Sequence, residues 1–189
     1  MHSNITNIEI KEVIAPKDSK VYEISYIEDG KKKSKVVSKS LNVVKILIYH
    51  KDKKAFVLTK QFRPLVYINQ PQFAYRYELC GGREDKPHLT SKEVAMEEIL
   101  EECGYKVEDL EYVTTFITTA KMTLYYVEVD ESMRVSEGGG VDDENIENFY
   151  LPIDKAKEFA INPKYPNRPA MAFAIWWWDD IKKPQILSS

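Results

Sequence analysis

The first part of the chain has the residue pattern of β-strands. β-Branched and aromatic residues dominate four segments that we predict to be strands: residues 21–27, 34–39, 43–49 and 55–58. We expect this group of strands to end near Pro64, because proline cannot continue a sheet ladder. A fifth strand is predicted for residues 75–80, and it leads directly into Gly81 and Gly82.

The periodicity changes to that of a helix after this glycine pair. Residues 90–93 have the sequence of a capping box, in which the Thr90 hydroxyl accepts a hydrogen bond from the Glu93 amide and the Glu93 carboxylate accepts one from Thr90. Gly104 suits the left-handed conformation that follows the last turn of a helix. A helix is therefore predicted from residue 90 to residue 104. After it we predict strands at 112–118, 123–129 and 149–151 and helices at 152–160 and 168–181.

The predicted helix has an acidic face and an apolar face. At about 100° per residue, four glutamates lie in one sector and most apolar residues lie opposite; the glutamates are Glu97, Glu98, Glu101 and Glu102. Like charges four residues apart are unfavourable by a few tenths of a kcal/mol per pair, and no basic residue lies between Lys92 and Lys106. Two interpretations stay open. The face is either solvated surface, or a site where carboxylates converge on Mg²⁺ or Mn²⁺, which prefer oxygen ligands.

Composition excludes several classes of protein. The chain has 189 residues, of which 43% are hydrophobic, so it can form one domain with a buried core and an added arm. Its longest apolar run, residues 170–178, is less than half of the roughly 20 residues that a membrane helix needs, and the N-terminus lacks the pattern of a secretory signal. Cys80 and Cys103 are too few for a disulfide framework. We therefore expect a cytoplasmic protein with reduced thiols and no membrane partner.

The charge balance also bears on partners. The net charge of −3 argues against a nucleic-acid partner, since nonspecific binding to nucleic acid depends on clustered Lys and Arg. The one basic run, residues 31–35, follows the turn residues Asp29 and Gly30. We interpret this run as the solvated tip of a hairpin rather than a track for phosphates.

Residues 81–105 resemble the Nudix box, whose pattern is G-x5-E-x7-R-E-U-x-E-E-x-G-U, with U a bulky apolar residue. The second half is matched by Glu98, Ile99, Glu101, Glu102, Gly104 and Tyr105. The first half differs: Leu89 stands where the family has Glu, Glu97 stands where it has Arg, and one extra residue lies between Gly82 and Leu89. In typical members that Glu and Arg form a structural ion pair. Because both are changed together, we interpret the box as a coherent variant whose loop is held by other means.

The resemblance extends beyond the box to the UDP-sugar pyrophosphatases of animals, and so to the ADP-ribose/UDP-sugar branch of the family. It is carried by residues 61–64, 77–80, 93–95, 101–105 and 138–140 and covers most of residues 21–181. The fold it implies is α+β, an α/β/α Nudix sandwich with a mixed sheet between helices, over residues 41–189. An N-terminal antiparallel β arm over residues 1–40 is expected to form a homodimer.

The same resemblance implies an activity and a cofactor. The activity is Mg²⁺-dependent hydrolysis of the pyrophosphate bond of a nucleoside diphosphate sugar, of ADP-ribose or UDP-glucose type, to a nucleoside monophosphate and a sugar phosphate, with Mn²⁺ as a substitute ion. The implied metal ligands are Glu98, Glu101, Glu102 and the carbonyl of Gly81, with Glu98 and Glu102 required for catalysis. Two other functions stay open: a Nudix hydrolase for dinucleoside polyphosphates, and a non-catalytic Nudix fold that binds a nucleotide or a protein.

The general base is expected in an acidic loop after the box. By resemblance it lies within residues 142–147, where Glu144 is favoured and Asp143 and Glu147 stay as alternatives. Three glycines at 138–140 suit a loop that closes on substrate. An ordinary surface turn is the alternative for these glycines.

Two more residues are candidates for substrate binding. Arg63 suits a phosphate clamp, because a guanidinium group binds phosphate oxygens in a bidentate manner; a structural ion pair is the alternative. Glu78, on the strand that leads into Gly81, is expected to contact substrate or metal-bound water, or else to be an ordinary strand carboxylate. Glu97 is either an outer partner of the metal ligands or a solvated side chain.

Overall fold

The computed structural model describes residues 5–13, 20–141, 144–165 and 169–187. Contacts within the chain divide it into two compact units, Met1–Leu41 and Asn42–Ser189. Within the described ranges, none of the helices is long and apolar enough to cross a membrane.

The N-terminal unit contains an antiparallel sheet whose described strands lie in the order β1-β2-β3. The strands are β1 (Ile5–Val13), β2 (Val21–Glu28) and β3 (Lys31–Ser38). No strand was predicted for β1. The hairpin at Asp29 and Gly30 is present, with both residues at positive φ, but the basic run forms part of β3 and is not the tip. Every side chain of β3 is exposed, and lysines suit such an edge strand because they oppose pairing with another chain.

The larger unit is built on a mixed sheet. Its described strands follow the order β6-β5-β4-β8-β7, and β9 pairs with β5. The strands are β4 (Val43–His50), β5 (Ala55–Phe62), β6 (Tyr75–Leu79), β7 (Glu111–Ile117), β8 (Lys121–Val129) and β9 (Ile146–Pro152). β4 and β8 are parallel, and the other pairs are antiparallel. The strands predicted in this unit are present, and β5 and β9 are longer than the sequence indicated.

Helices cover both faces of this sheet. They are α1 (Pro64–Asn69), α2 (Ser91–Glu98), α3 (Ile153–Ile161), α4 (Pro169–Trp177) and α5 (Lys183–Leu187). Along β4, Ile46 and Ile48 pack with α2 on one face, while Leu47 and Tyr49 pack with α3 and α4 on the other, since successive strand side chains point to opposite faces. The predicted α/β/α arrangement with a mixed sheet is confirmed.

The start and end signals of α2 act as predicted. Thr90 and Glu93 form the capping box in both directions, and the segment ends at Gly104, which has a φ of 78°. Between these signals the helix is not uniform, because Ile99–Cys103 is π-helical. That change was not predicted, and it falls on the acidic part of the box.

The tryptophan run spans the end of α4 and the start of the π-helical segment that follows it, Trp178–Lys182. Trp178 is 2% exposed, and its indole N–H donates to the Tyr126 hydroxyl at 3.1 Å. Trp176 and Trp177 are half-buried. These neighbouring residues of one helical run therefore point to different faces.

Candidate active site

The turn from β6 into the box is held against the π-helical segment. Glu102 is buried, and its Oε2 atom accepts a hydrogen bond of 2.9 Å from the Gly81 amide. Gly81 has a φ of +138°, and a Cβ atom there would lie 2.2 Å from the Val44 carbonyl oxygen. Glycine is required at this position. The backbone therefore reaches the Glu102 carboxylate because residue 81 has no side chain.

Glu98 packs against the second glycine of the pair. A Cβ atom on Gly82 would lie 1.8 Å from the Glu98 Oε1 atom, so the missing side chain makes room for the carboxylate. Burial raises the pKa of Glu98 to about 7, and the charges of Glu102 and Glu101 contribute to the increase. Burial also raises the pKa of Glu102, against the effect of the Lys45 charge. The protein therefore compensates only part of the negative charge in this cluster.

The three predicted carboxylate ligands lie where the helix changes from α to π. Glu98 is the last residue of α2, and Glu101 and Glu102 belong to the π-helical segment that follows. The carbonyls of Glu101 and Glu102 accept hydrogen bonds of 3.0 Å each from the amides of Gly140 and Gly139. Single π turns are frequent at functional sites. Here the π segment attaches the glycine loop directly to the residues that carry the carboxylates.

The carboxylates share one site but do not form a coordination shell in this conformation. Within the described residues, no group of three or more His, Cys, Asp or Glu side chains is arranged to hold a metal ion. Glu102 accepts from the Gly81 amide, and Glu101 lies 3.9 Å from the Lys86 ammonium. Carboxylate oxygens are nevertheless the ligands that Mg²⁺ prefers, and the raised pKa of Glu98 and Glu102 marks negative charge that a cation would stabilise. In the chemistry of its donor groups, the site fits a divalent cation.

A buried lysine that the sequence analysis did not single out lies beside the carboxylates. Lys45, on β4, is 9% exposed, and its Nζ atom donates to the carbonyls of Leu79 at 3.1 Å and Gly81 at 2.9 Å. The Gly81 carbonyl, predicted as a metal ligand, thus accepts a hydrogen bond from an ammonium group. The signal in the sequence is one charged residue inside the otherwise apolar run of residues 43–49.

Arg63 and Glu78 form an ion pair. The Arg63 Nη2 atom donates to Glu78 Oε2 at 2.6 Å, and the Glu78 side chain is 3% exposed. This contact is the structural ion pair that the sequence left open for Arg63. The Arg63 Nε atom is buried and has no hydrogen-bond partner among the described residues. The Arg63 side chain is 33% exposed, so the contact with Glu78 leaves part of it accessible.

The acidic loop places Glu144 near the buried glutamates. Residues 142 and 143, among them the alternative base Asp143, lie outside the described residues. Glu144 is exposed, and its Oε2 atom lies 2.7 Å from the position that a Cβ atom on Gly140 would take. The charge of Glu144 contributes to the raised pKa values of Glu98 and Glu102. The favoured base is thus within electrostatic range of the site.

Glu147, the other alternative base, faces away from the carboxylates. Asn148 donates through Nδ2 to the Glu102 carbonyl at 3.3 Å, so its side chain points toward the box. Glu147 accepts from Lys60 Nζ at 2.8 Å, and Lys60 lies over Tyr77, which packs against the cluster of α3 and α4. Neighbouring residues of a strand point to opposite faces. The sheet therefore separates Glu147 from Glu102.

Contacts other than the family's ion pair hold the box loop. The Lys86 Nζ atom donates to Glu97 Oε2 at 2.5 Å. Glu97, which stands where the family has Arg, is therefore the acidic partner of an ion pair. Leu89, where the family has Glu, packs against the buried cluster under α2. The Ser91 hydroxyl donates to Glu84 at 2.5 Å. The loop is thus joined to the helix by an ion pair of inverted polarity and by apolar packing.

Known proteins similar to this chain are pyrophosphatases. The chain is 33% identical to the uridine diphosphate glucose pyrophosphatase NUDT14 of Bos taurus, over 86% of this chain and 89% of that protein. It is 34% identical to the GDP-mannose pyrophosphatase of Cronobacter sakazakii, over 62% of this chain and 63% of that protein. No protein-family model matches the chain.

A solved structure supports the same fold. The crystal structure of an ADP compounds hydrolase matches with a TM-score of 0.71 and 16% identity, over 98% of this chain and 96% of the other. At this identity the match shows the fold alone. The protein from Bos taurus carries the family assignment, because its identity exceeds 30% over most of both chains. Together with the box sequence and the sandwich fold, this similarity shows that the chain belongs to the Nudix hydrolases, in their ADP-ribose/UDP-sugar pyrophosphatase branch.

Proposed function

We propose that this protein hydrolyses the pyrophosphate bond of a nucleoside diphosphate sugar, of ADP-ribose or UDP-glucose type, to a nucleoside monophosphate and a sugar phosphate. The observation that carries the proposal is a pair of box glutamates, the half-buried Glu98 and the buried Glu102, held against Gly82 and Gly81 with raised pKa values. The names of the similar pyrophosphatases, which refer to UDP-glucose and GDP-mannose, support this class of substrate.

The cofactor in this proposal is Mg²⁺, with Mn²⁺ as a substitute ion. Glu98, Glu101 and Glu102 would hold it, since their oxygens are the ligands that such ions prefer. When bound, a divalent cation offsets the charge of a pyrophosphate and lowers the pKa of a coordinated water. Burial raises the pKa of Glu98 to about 7 and also raises that of Glu102, and a bound cation would oppose both increases because it favours the charged form.

The proton acceptor in the proposal is Glu144. Its carboxylate is exposed, lies close to Gly140, and is not paired with the Lys60 ammonium that engages Glu147. A general base has to be near the attacked phosphorus and free of other strong partners. The amides of Gly139 and Gly140, bound to the π segment, attach this loop to the carboxylate site.

Arg63 is proposed to bind a phosphate oxygen while Glu78 orients it. The Glu78 carboxylate fixes one end of the guanidinium group through the Nη2 contact, and the Arg63 side chain stays 33% exposed. An ordered guanidinium loses little side-chain entropy when it binds an anion. In this role Glu78 positions Arg63 and does not itself touch the substrate.

A substrate panel tests the function. Purified protein is incubated with Mg²⁺ and ADP-ribose, UDP-glucose, GDP-mannose or diadenosine polyphosphates, and the products are separated by ion-exchange chromatography. We expect hydrolysis of at least one nucleotide sugar, with kcat/KM reduced by about 10³-fold in Glu102→Gln, which corresponds to roughly 4 kcal/mol in the barrier. Turnover of the dinucleoside polyphosphates alone would move the function to that class. No turnover of any compound would support a non-catalytic binding module.

We also propose that the protein is a cytoplasmic homodimer formed through the N-terminal unit. Val36 on β3 is 67% exposed, an apolar side chain that a second subunit would cover. Both cysteines are free and buried, as suits a reducing compartment. Sedimentation equilibrium of the full chain should give about twice 22.0 kDa, and Val36→Glu should shift the equilibrium toward the monomer. A wild-type mass of one chain would contradict the dimer.

A further inference from the structure

Lys45 places a positive charge inside a buried strand. Every residue of β4 after Val43 is buried, Lys45 included. A buried ammonium group is costly unless it is hydrogen-bonded and paired with negative charge. Its hydrogen bonds go to main-chain carbonyls, so the compensating charge has to come from side chains nearby.

The ammonium lies at the turn that carries the box glycines. It donates to the carbonyls of Leu79 and Gly81, at 3.1 and 2.9 Å. The amide of the same Gly81 donates to the Glu102 carboxylate at 2.9 Å. Residue 81 therefore bridges the ammonium group, through its carbonyl, and a box carboxylate, through its amide.

The Lys45 charge lies beside the box carboxylates. The Lys45 ammonium and the Glu102 carboxylate bind the carbonyl and the amide of the same residue, Gly81, and opposite charges at such short range attract each other. A divalent cation would act in the same direction, because it also stabilises ionised carboxylates. The ammonium group disfavours metal binding at the Gly81 carbonyl, since a cation on that oxygen would lie beside a like charge.

We propose that the Lys45 ammonium takes the place of one cation in the carboxylate site, so that the Gly81 carbonyl is not a metal ligand. The wild-type chain therefore binds one divalent ion fewer than a variant with a neutral residue at position 45. The inference rests on the proposed function, in which Glu98, Glu101 and Glu102 hold Mg²⁺. It predicts that the neutral variant gains an ion without any new carboxylate.

Counting bound Mn²⁺ tests the inference without using activity. The full chain, freed of metal with EDTA and desalted, is titrated with Mn²⁺ in the absence of substrate, and free Mn²⁺ is measured by electron paramagnetic resonance. We expect Lys45→Gln to bind one Mn²⁺ more per chain than wild type. Lys45→Arg keeps the charge and is the matched control, with the wild-type number. Lys45→Met serves as a second neutral variant, and circular dichroism confirms that each variant is folded.

The outcomes separate this inference from the proposed function. Equal numbers of Mn²⁺ in wild type and in a folded neutral variant, with wild type binding metal and hydrolysing a nucleotide sugar, would overturn the inference alone. An extra ion in Lys45→Arg as well would also overturn it, because the gain would not depend on charge. If neither wild type nor the neutral variants bind Mn²⁺ and no substrate is hydrolysed, the proposed metal site fails and the inference fails with it.

Discussion

The two faces of the sheet in the larger unit differ in the kind of side chain that they bury. On the face that packs with α3 and α4, Trp178 contacts the rings of Tyr49 and Phe56 at centroid distances of 5.1 and 5.0 Å, and its indole N–H is satisfied by Tyr126. On the face that packs with α2, the buried set includes Glu78 and Glu102 among apolar residues. One face is aromatic and hydrogen-bonded, and the other holds buried acids.

This difference separates what stabilises the fold from what the fold has to support. Burying an aromatic ring with its polar atom bonded is favourable. Burying carboxylates is unfavourable unless a partner charge compensates them, and the raised pKa of Glu98 and Glu102 shows that compensation is incomplete. We expect changes on the α4 face to alter stability and changes on the α2 face to alter activity.

The largest effect is expected at Trp178. Trp178→Ala would leave a cavity among Tyr49, Phe56 and Tyr126 and remove the indole hydrogen bond, so the free energy of unfolding should fall by about 3–5 kcal/mol. Urea denaturation followed by circular dichroism measures this change. The kcat of the folded fraction should stay within about twofold of wild type. A large loss of kcat in folded protein would show that the two faces are not separate in function.

The second prediction compares two glutamates that the sheet separates. Glu144→Gln should lower kcat by about 10²-fold, because the proposed base lies in the loop next to the box. Glu147→Gln is the matched control: this residue pairs with Lys60 on the α3 side, and kcat should be unchanged. Steady-state kinetics with the best nucleotide sugar measures both variants. If Glu147→Gln were the slower enzyme, the assignment of faces along β9 would be wrong.

The parts of the fold that follow local rules could be predicted from the sequence. The capping box at Thr90 and Glu93 and the helix end at Gly104 depend on a few adjacent residues, and both are present in the structure. The π-helical segment could not be predicted, because its carbonyls bind amides of Gly139 and Gly140 far along the chain. Local sequence defines the limits of a helix but not the contacts that change its winding.

The candidate site shows the same division. Glu98, Glu101 and Glu102 stand out in the sequence because like charges repeat at helical spacing. Lys45 did not stand out, because one lysine in a strand pattern is typical of an exposed edge strand. Only the tertiary structure shows that this side chain is buried. The face of Glu147 could have been predicted from the alternation of β9, had that strand been extended back to Ile146.

The third prediction concerns pH in the metal-free protein, where carboxylates on the two sides should act with opposite sign. Burial raises the pKa of Glu98 to about 7, so the folded state holds its proton more tightly than the unfolded chain. Stability from this group is complete below the ordinary pKa of about 4.5 and is lost as pH rises toward 7. Lys157 and Lys183 lower the pKa of Asp179, whose contribution is instead lost as pH falls.

Urea denaturation in EDTA at several pH values measures this effect. Wild type should lose stability between about pH 4.5 and 7, and Glu98→Gln should make the curve flatter in that window, because the amide does not titrate. Asp179→Asn is the control from the other side, and it should leave this window unchanged. An unchanged slope in Glu98→Gln would show that the buried charge on the α2 face lies on another group.

The smallest effect is expected for the ion pair that replaces the family's pair. Lys86 and Glu97 are each more than 40% exposed, so a double-mutant cycle with Lys86→Met and Glu97→Gln should give a coupling of about 0.2–1 kcal/mol that decreases in 1 M NaCl. The pair of Lys157 with the half-buried Asp179, which follows α4, should give a similar value. Equal coupling energies for the two ion pairs would show that the faces differ in their buried groups and not in their surface ion pairs. A coupling of several kcal/mol for Lys86 and Glu97 would mean instead that the box loop depends on its surface charges, and that the inverted pair carries the structural role of the one it replaces.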